Sequence, residues 1–371
     1  MKVPFFDPRP QHAPLAAELQ RAFAGFLDEP RFILGEHVAQ FERAAAEQLQ
    51  VAHAIGVSSG TDALLCSLLA LGVGPGDEVI TTPFTFAATA EVIVRVGALP
   101  RFVDVDPGSL NIDVTAVEQA ITPRTRAVLP VHLFGSPLEM TALLQLAERH
   151  GVAVVEDAAQ AWGACYRSKP VGGLGRLGAF SFFPSKPLGG WGDGGLIVTQ
   201  DAELAERCRQ LRSHGKNARG EFEVLGGNFR LDALQAALLA VKLQHVEQWQ
   251  RERTEIAEEY SRGLTDVPGL RLPQSSTQGT SAWSVYTLRI ATNGERNRDA
   301  VRAALQERGV ATAIYYSRPL HCEPAFQDNA RQSLPVAEQA AREVLSLPIF
   351  PGLSAQQRAH VIQQLRAICG A

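Results

Sequence analysis

Glu78-Val79-Ile80-Thr81-Thr82, then a helical stretch over 87–96 closed by Gly97, then Arg101-Phe102-Val103-Asp104-Val105, follow one another directly in the chain. Short strand-like runs on either side of a helix form a β-α-β unit, which places its strands side by side and parallel. The alternation extends in both directions. Upstream, Leu64, Leu65, Leu68 and Leu69 recur at helical spacing after Ser58-Ser59-Gly60-Thr61, and Gly72 can stop that helix. Downstream, apolar runs at 127–132 and 152–155 flank a helical stretch at 138–150. Phe180-Ser181-Phe182-Phe183 and Gly195-Leu196-Ile197-Val198-Thr199 read as two more strands around a loop. The fold class is therefore α/β, with a mostly parallel central sheet covered by helices on both faces.

After Asn228 the pattern changes. Leu231, Leu234, Leu238 and Val241 step by three, four and three, which predicts one long helix running on towards Tyr260. Such a helix is suited to bridging two domains. Pro268, Pro273 and the polar stretch 275–281 then read as a loop or linker. The remainder reads as α+β, with a strand near 285–290 and helices near 298–308 and 334–345. The expected division is a large domain over 1–250 and a smaller α+β domain over 251–371.

Composition bounds the function. The chain has 371 residues, 46% hydrophobic and 20% charged, enough to bury a large core and unlike a disordered chain. Lys+Arg 35 against Asp+Glu 39 gives a net charge of −4 without a basic run, so no nucleic-acid partner is expected. Five scattered cysteines without C-x-x-C spacing point to a reducing compartment, and no metal site is expected. The opening residues lack a signal-peptide core, and the longest uncharged apolar stretch, 63–74, is too short to span a bilayer. A soluble cytoplasmic protein is the expectation.

Gly173-Leu174-Gly175-Arg176-Leu177-Gly178 fits G-x-G-x-x-G, but a strand-like segment follows it where a dinucleotide site needs a helix. It reads as turn geometry. Four other segments carry chemistry. Ser58-Ser59-Gly60-Thr61 ahead of an apolar helix offers free N–H groups and hydroxyls, either as an anion site or as a plain N-cap. Val154-Val155-Glu156-Asp157-Ala158-Ala159-Gln160 puts acidic groups at the carboxyl end of an apolar strand, where ligands bind in parallel sheets; a helix cap explains Asp157 equally. Phe180 to Gly189 sets Lys186 among apolar residues and turn formers. Burial would free its neutral amine as a Schiff-base nucleophile, whereas a loop lysine could simply point outward. Finally, Gly226-Gly227-Asn228-Phe229-Arg230-Leu231-Asp232 leads polar groups into a helix.

Together these segments resemble the sugar aminotransferases of the DegT/DnrJ/EryC/StrS group. The resemblance extends through Arg31-Phe32-Ile33-Leu34-Gly35, Pro83-Phe84-Thr85-Phe86-Ala87-Ala88-Thr89 and Pro130-Val131-His132-Leu133-Phe134-Gly135. Late in the chain it includes Pro319-Leu320-His321 and Leu347-Pro348-Ile349-Phe350-Pro351-Gly352. It implies the type I fold of pyridoxal-phosphate-dependent aminotransferases, with the cofactor in the large domain.

By that resemblance Lys186 bonds to the cofactor aldehyde and later shuttles a proton. Asp157 pairs with the pyridine nitrogen, Gln160 donates to the ring hydroxyl oxygen, and Phe86 stacks on the ring. Gly60, Thr61 and Ser181 hold the phosphate, and Asn228 comes from the neighbouring subunit of a homodimer. The implied reaction moves an amino group from glutamate onto a keto group of a nucleotide-linked sugar. Arg230 could meet an anionic group of either substrate or form a helix-end ion pair; Tyr316 and His321 fall in the segment that approaches the sugar. His214 and Lys216 are expected near the cofactor mouth. The forms Phe183-Pro184-Ser185-Lys186-Pro187-Leu188-Gly189 and Gly192-Asp193-Gly194-Gly195 look more like members acting on 3-keto sugars, including 2-acetamido uronic acids, than on 4-keto sugars. Trp162 and Ser284 stand where histidines are common and are expected to reshape the sugar pocket. The alternatives are a 4-keto-sugar enzyme and a non-catalytic cofactor-binding regulator; Lys186 argues against a dehydratase.

Overall fold

The computed structural model describes residues 1–28, 31–274, 276, 278–291, 297–329 and 332–370. Its strands are β1 (His53–Val57), β2 (Glu78–Thr81), β3 (Leu99–Phe102), β4 (Thr125–Leu129), β5 (Ala153–Asp157), β6 (Cys165–Tyr166), β7 (Lys169–Pro170), β8 (Leu177–Ser181) and β9 (Gly195–Thr199), followed by β10 (Leu270–Arg271), β11 (Gly279–Thr280), β12 (Tyr286–Ile290) and β13 (Val344–Leu347). Seven of them form one sheet in the order β1-β9-β8-β5-β4-β2-β3. The pairs from β8 through β5, β4 and β2 to β3 are parallel, and β9 runs antiparallel to both its neighbours. β2 and β9 are buried at every position, as expected of strands covered on both faces. One cover is the helix Gly60–Ala70, which is apolar almost all round.

Two short antiparallel sheets complete the chain, β11-β6-β7 and β10-β12-β13. The second has its own core, in which Tyr260, Leu288, Leu347 and Val361 pack together. The long helix expected from Leu231 towards Tyr260 is two helices, Ala233–Leu243 and Val246–Leu264. At the junction the Gln244 and His245 amides donate to carbonyls only three residues back, a tightened turn that separates the two helices. The second helix then starts with Val246 and Trp249 in the main core and ends with Ile256, Tyr260 and Leu264 in the other. Arg253 lies between, buried, and donates to the carbonyls of Trp283 (3.3 Å) and Ile349 (3.0 Å). The helix expected over 334–345 spans Pro335–Glu343, because the chain from Val344 enters β13. Residues 275 and 277 of the expected linker lie outside the described residues. Among the described residues no helix is long and apolar enough to cross a membrane.

Candidate active site

The carboxyl ends of β1, β2, β4, β5 and β8 lie along one edge of the sheet, the edge where open α/β sheets bind ligands. Residues at or just beyond those ends line a cavity of about 430 Å³. Past β8, the Phe182 amide donates to the Gly194 carbonyl (2.8 Å), closing the base of a loop, and the Lys186 amide donates to the Phe183 carbonyl (2.8 Å). The Lys186 side chain is thereby turned into the cavity. Burial lowers its pKa to about 8 against the opposing pull of the Asp157 charge. From behind, the buried Lys242 ammonium donates to the Gly189 carbonyl of the same loop.

Asp157 ends β5 and is 6% exposed. Its Oδ2 accepts from Thr89 Oγ1 (2.9 Å) and its Oδ1 from the Ala159 amide (3.1 Å). Thr85 and Thr89 share a hydroxyl–hydroxyl bond at 3.1 Å behind it. Burial pushes the Asp157 pKa up; the Ala159 and Thr89 bonds and the Lys186 charge pull the other way. A carboxylate so placed gains from a cationic N–H brought into the cavity. Gln160 Oε1 accepts from the Phe134 amide (2.7 Å), which leaves its Nε2 as a donor within 3.4 Å of the Tyr316 hydroxyl. Tyr316 lines the cavity, and burial pushes its hydroxyl pKa far up.

The helix Gly60–Ala70 starts at the cavity wall. Ser59 caps it, its Oγ accepting from the Asp62 amide (3.0 Å), as the N-cap reading of this segment expects. The amides of Gly60 and Thr61, in the first helical turn, have no intrahelical carbonyl and face an anion-ready space. A Cβ on Gly60 would lie 2.7 Å from Ser181 Cβ, so glycine lets helix and strand β8 converge there. Helix start, Ser181 hydroxyl, buried carboxylate and low-pKa amine are a donor set that fits pyridoxal phosphate.

The glycine cluster has a structural task. Glu156, fully buried beside Asp157, accepts from the amides of Gly172 (2.7 Å), Leu174 (2.7 Å) and Gly175 (2.6 Å) and pairs with His132 Nε2 (2.9 Å). The anion in this nest is the protein's own carboxylate.

Lys186, Asp157, Gln160, Gly60, Thr61, Ser181, Phe86 and Tyr316 thus meet in one cavity; Phe86 is 62% exposed there. His321 does not join them. It is buried against Glu338 (3.3 Å) and Cys322 (3.3 Å), which removes it from the sugar contact expected of it. Asn228 is exposed and pairs with Ser213, away from its own chain's cavity. Arg230 bridges Val57, with its Nε buried and lacking an acceptor among the described residues, and does not line the cavity. His214 and Lys216 also lie outside the lining, Lys216 over the Phe222 ring at 6.0 Å. Ser284 lines the cavity, but Trp162 packs behind the sheet on Phe180 (5.1 Å), so the expectation that it reshapes the pocket is corrected. Sequence reasoning missed Thr89, which stands in the first turn of the helix Ala88–Arg95, and it missed Phe5, Phe6 and Tyr315, which also line the cavity.

The sequence model of the DegT/DnrJ/EryC1/StrS aminotransferase family matches residues 14–366. A pleiotropic regulatory protein of Geobacillus stearothermophilus is 45% identical, covering 98% of both chains. The dTDP-3-amino-3,4,6-trideoxy-alpha-D-glucose transaminase of Streptomyces venezuelae is 44% identical over 98% of this chain and 96% of its own. The crystal structure of S. venezuelae DesV in complex with a ketimine intermediate superposes with a TM-score of 0.96 at 44% identity, covering 100% of this chain and 99% of that one. The fold is that of the type I aminotransferases. The chain belongs to the DegT/DnrJ/EryC1/StrS aminotransferase family and is a pyridoxal-phosphate-dependent nucleotide-sugar aminotransferase.

Proposed function

We propose that this enzyme carries the amino group of L-glutamate to C3 of a nucleotide-linked 3-keto sugar, as a homodimer whose two active sites are shared. The observation that carries the catalytic part is a buried Lys186 with a pKa near 8 in the same cavity as a buried Asp157. The C3 position is supported by the residues flanking Lys186 and by the 3-amino product in the name of the Streptomyces relative.

Pyridoxal phosphate, when bound, supplies the aldehyde that accepts and returns the amino group and a ring that spreads the charge of the deprotonated carbon. The protein supplies the rest. Lys186 Nζ, neutral in a useful fraction at working pH, would hold the cofactor and would serve as the base that moves the proton of the donor's Cα. Asp157 holds a proton on the pyridine nitrogen, and Thr89 with the Ala159 amide keeps its carboxylate aimed and opposes the upward push of burial on its pKa. Gln160 Nε2 is left to donate to the ring hydroxyl oxygen because Phe134 already occupies Oε1. Phe86 covers the ring face. The Gly60 and Thr61 amides and the Ser181 hydroxyl bind the phosphate, and Asn228 of the partner subunit closes it from across the interface. The two half-reactions share these groups, so donor and acceptor alternate in the cavity.

The test runs the sugar step in reverse. Purified holoenzyme with 2-oxoglutarate is offered nucleotide-linked 3-amino and 4-amino hexoses, and glutamate release is measured. Release from the 3-amino sugars alone is expected; release from the 4-amino sugars alone would overturn the C3 assignment.

A further inference from the structure

Lys242 is a buried cation that the reaction leaves unused. It stands near the end of the helix Ala233–Leu243, 1% exposed, and does not line the cavity. Burial lowers its pKa to about 8, with no carboxylate opposing the shift. An unpaired ammonium in a core costs stability that a methionine of similar length would not. Its Nζ donates to the Gly189 carbonyl, with His12 Nε2 at 3.0 Å and the centre of the Trp249 ring at 6.0 Å. Burial and the Lys242 charge lower the His12 pKa to about 4, so its neutral ring accepts from the ammonium.

Gly189 belongs to the loop that carries Lys186. The Gly190 amide donates to the Phe182 carbonyl (2.7 Å) across the base of that loop. Gly189 itself packs so closely on Pro184 that a Cβ would collide with the Pro184 carbonyl. A shift of Gly189 is thereby passed to Pro184 and on to Lys186. The same helix holds the loop a second time, because Gln235 Oε1 accepts from the Trp191 amide (3.0 Å). Gln235 and Lys242 lie seven residues apart and so share a helix face.

We propose that Lys242 is a positioning residue for Lys186: with Gln235 it clamps the far side of the 182–194 loop to the helix and so fixes where Lys186 stands in the cavity. The inference rests on the reading of the cavity as an aminotransferase site and adds to it a residue that touches neither substrate nor cofactor. The Gly189 carbonyl is buried, and an apolar residue at 242 would leave it without a donor. The charge is kept in the core for that donor.

The experiment uses Lys242→Met, which keeps the apolar stem and removes the donor. In the apoprotein, amide hydrogen exchange over 182–191 is expected to be at least about tenfold faster than in wild type, with the helix Gly60–Ala70 and the urea midpoint unchanged. In the loaded protein, the limiting single-turnover rate with glutamate, per bound cofactor, should fall by about tenfold or more. The glutamate concentration giving half that rate should move by less than about threefold. Gln235→Leu, which breaks the other half of the clamp, should affect the same segment, and the double variant should do little more than the worse single one. Unchanged local exchange, an unchanged rate per cofactor, or faster exchange throughout the chain would overturn the proposal; if Lys242→Met does not fold, Gln235→Leu decides by the same criteria. A wild-type holoenzyme that does not respond to glutamate would overturn the aminotransferase reading instead, since the exchange measurement uses neither cofactor nor substrate.

Discussion

The Lys186 amine is the group whose environment the fold perturbs to most effect, and its titration can be followed without any substrate. Its pKa of about 8 lies roughly 2.5 units below the ordinary lysine value of 10.5, chiefly through burial. At pH 7 this raises the neutral fraction by about 300-fold, equivalent to roughly 3 kcal/mol. The sign of the stability effect follows. The folded apoprotein binds this proton less tightly than the unfolded chain does, so folding is penalised in full below about pH 8 and the penalty is relieved as pH rises towards 10.5. Lys186→Met removes the titrating group while filling similar space. The apo variant is therefore expected to be more stable than the wild-type apoprotein by up to roughly 3 kcal/mol at pH 7, and by little at pH 10.5. Lys242 is also lowered to about 8 by burial and titrates in the same window, so only the difference between the two proteins isolates Lys186. Urea unfolding at both pH values gives the difference, and competitive acetylation of the apoprotein gives the pKa itself. A Lys186 pKa above 10, or a stability difference that does not change with pH, would refute the reasoning.

Gly60→Ala forces a Cβ to within 2.7 Å of Ser181 Cβ, parting the two elements proposed to hold the phosphate. Titration of the apoprotein with pyridoxal phosphate should show affinity lowered by about tenfold or more; unchanged affinity would place the phosphate elsewhere. Glu156→Gln replaces the carboxylate that three amides and His132 share, and should cost about 3 kcal/mol of stability in urea unfolding. A loss below about 1 kcal/mol would mean that the nest is not held by charge. Lys186→Ala and Asn228→Ala proteins, each inactive alone, should recover about one quarter of wild-type activity when unfolded together and refolded as mixed dimers, since half of the dimers then hold one intact site. No recovery would mean that Asn228 acts in its own subunit; an Asn228→Ala protein that is active alone would mean that it acts in neither.

Much of this was legible from local pattern. β-branched runs separated by helical stretches give a parallel sheet wherever both faces are covered, and strands such as β2 and β9 are buried throughout. Asp157 and Lys186 were visible because a charged group next to an apolar strand is conspicuous. What was not legible depends on three dimensions. Leucine spacing continues smoothly past Val241, and only the demands of a second core on Tyr260 and Leu264 break the helix at Gln244 and His245. Nothing in the sequence of the glycine cluster says that Glu156, sixteen or more residues earlier, fills its nest. His321 sits in a segment that borders the site, yet Glu338 and Cys322 take it inward. Phe5 and Phe6 reach the cavity only because Val3 is tied to Gly309 and Ala311 across more than three hundred residues of chain.

The central claim, that Lys186 and Asp157 form a pyridoxal-phosphate site serving glutamate, is tested most directly by the visible spectrum of the purified protein before and after glutamate is added. The account predicts a yellow absorbance band from the lysine-bound cofactor, absent in Lys186→Ala, that gives way to the near-ultraviolet band of the aminated cofactor when glutamate is supplied. A protein that shows no band after incubation with pyridoxal phosphate, or the same yellow band in Lys186→Ala, would contradict it.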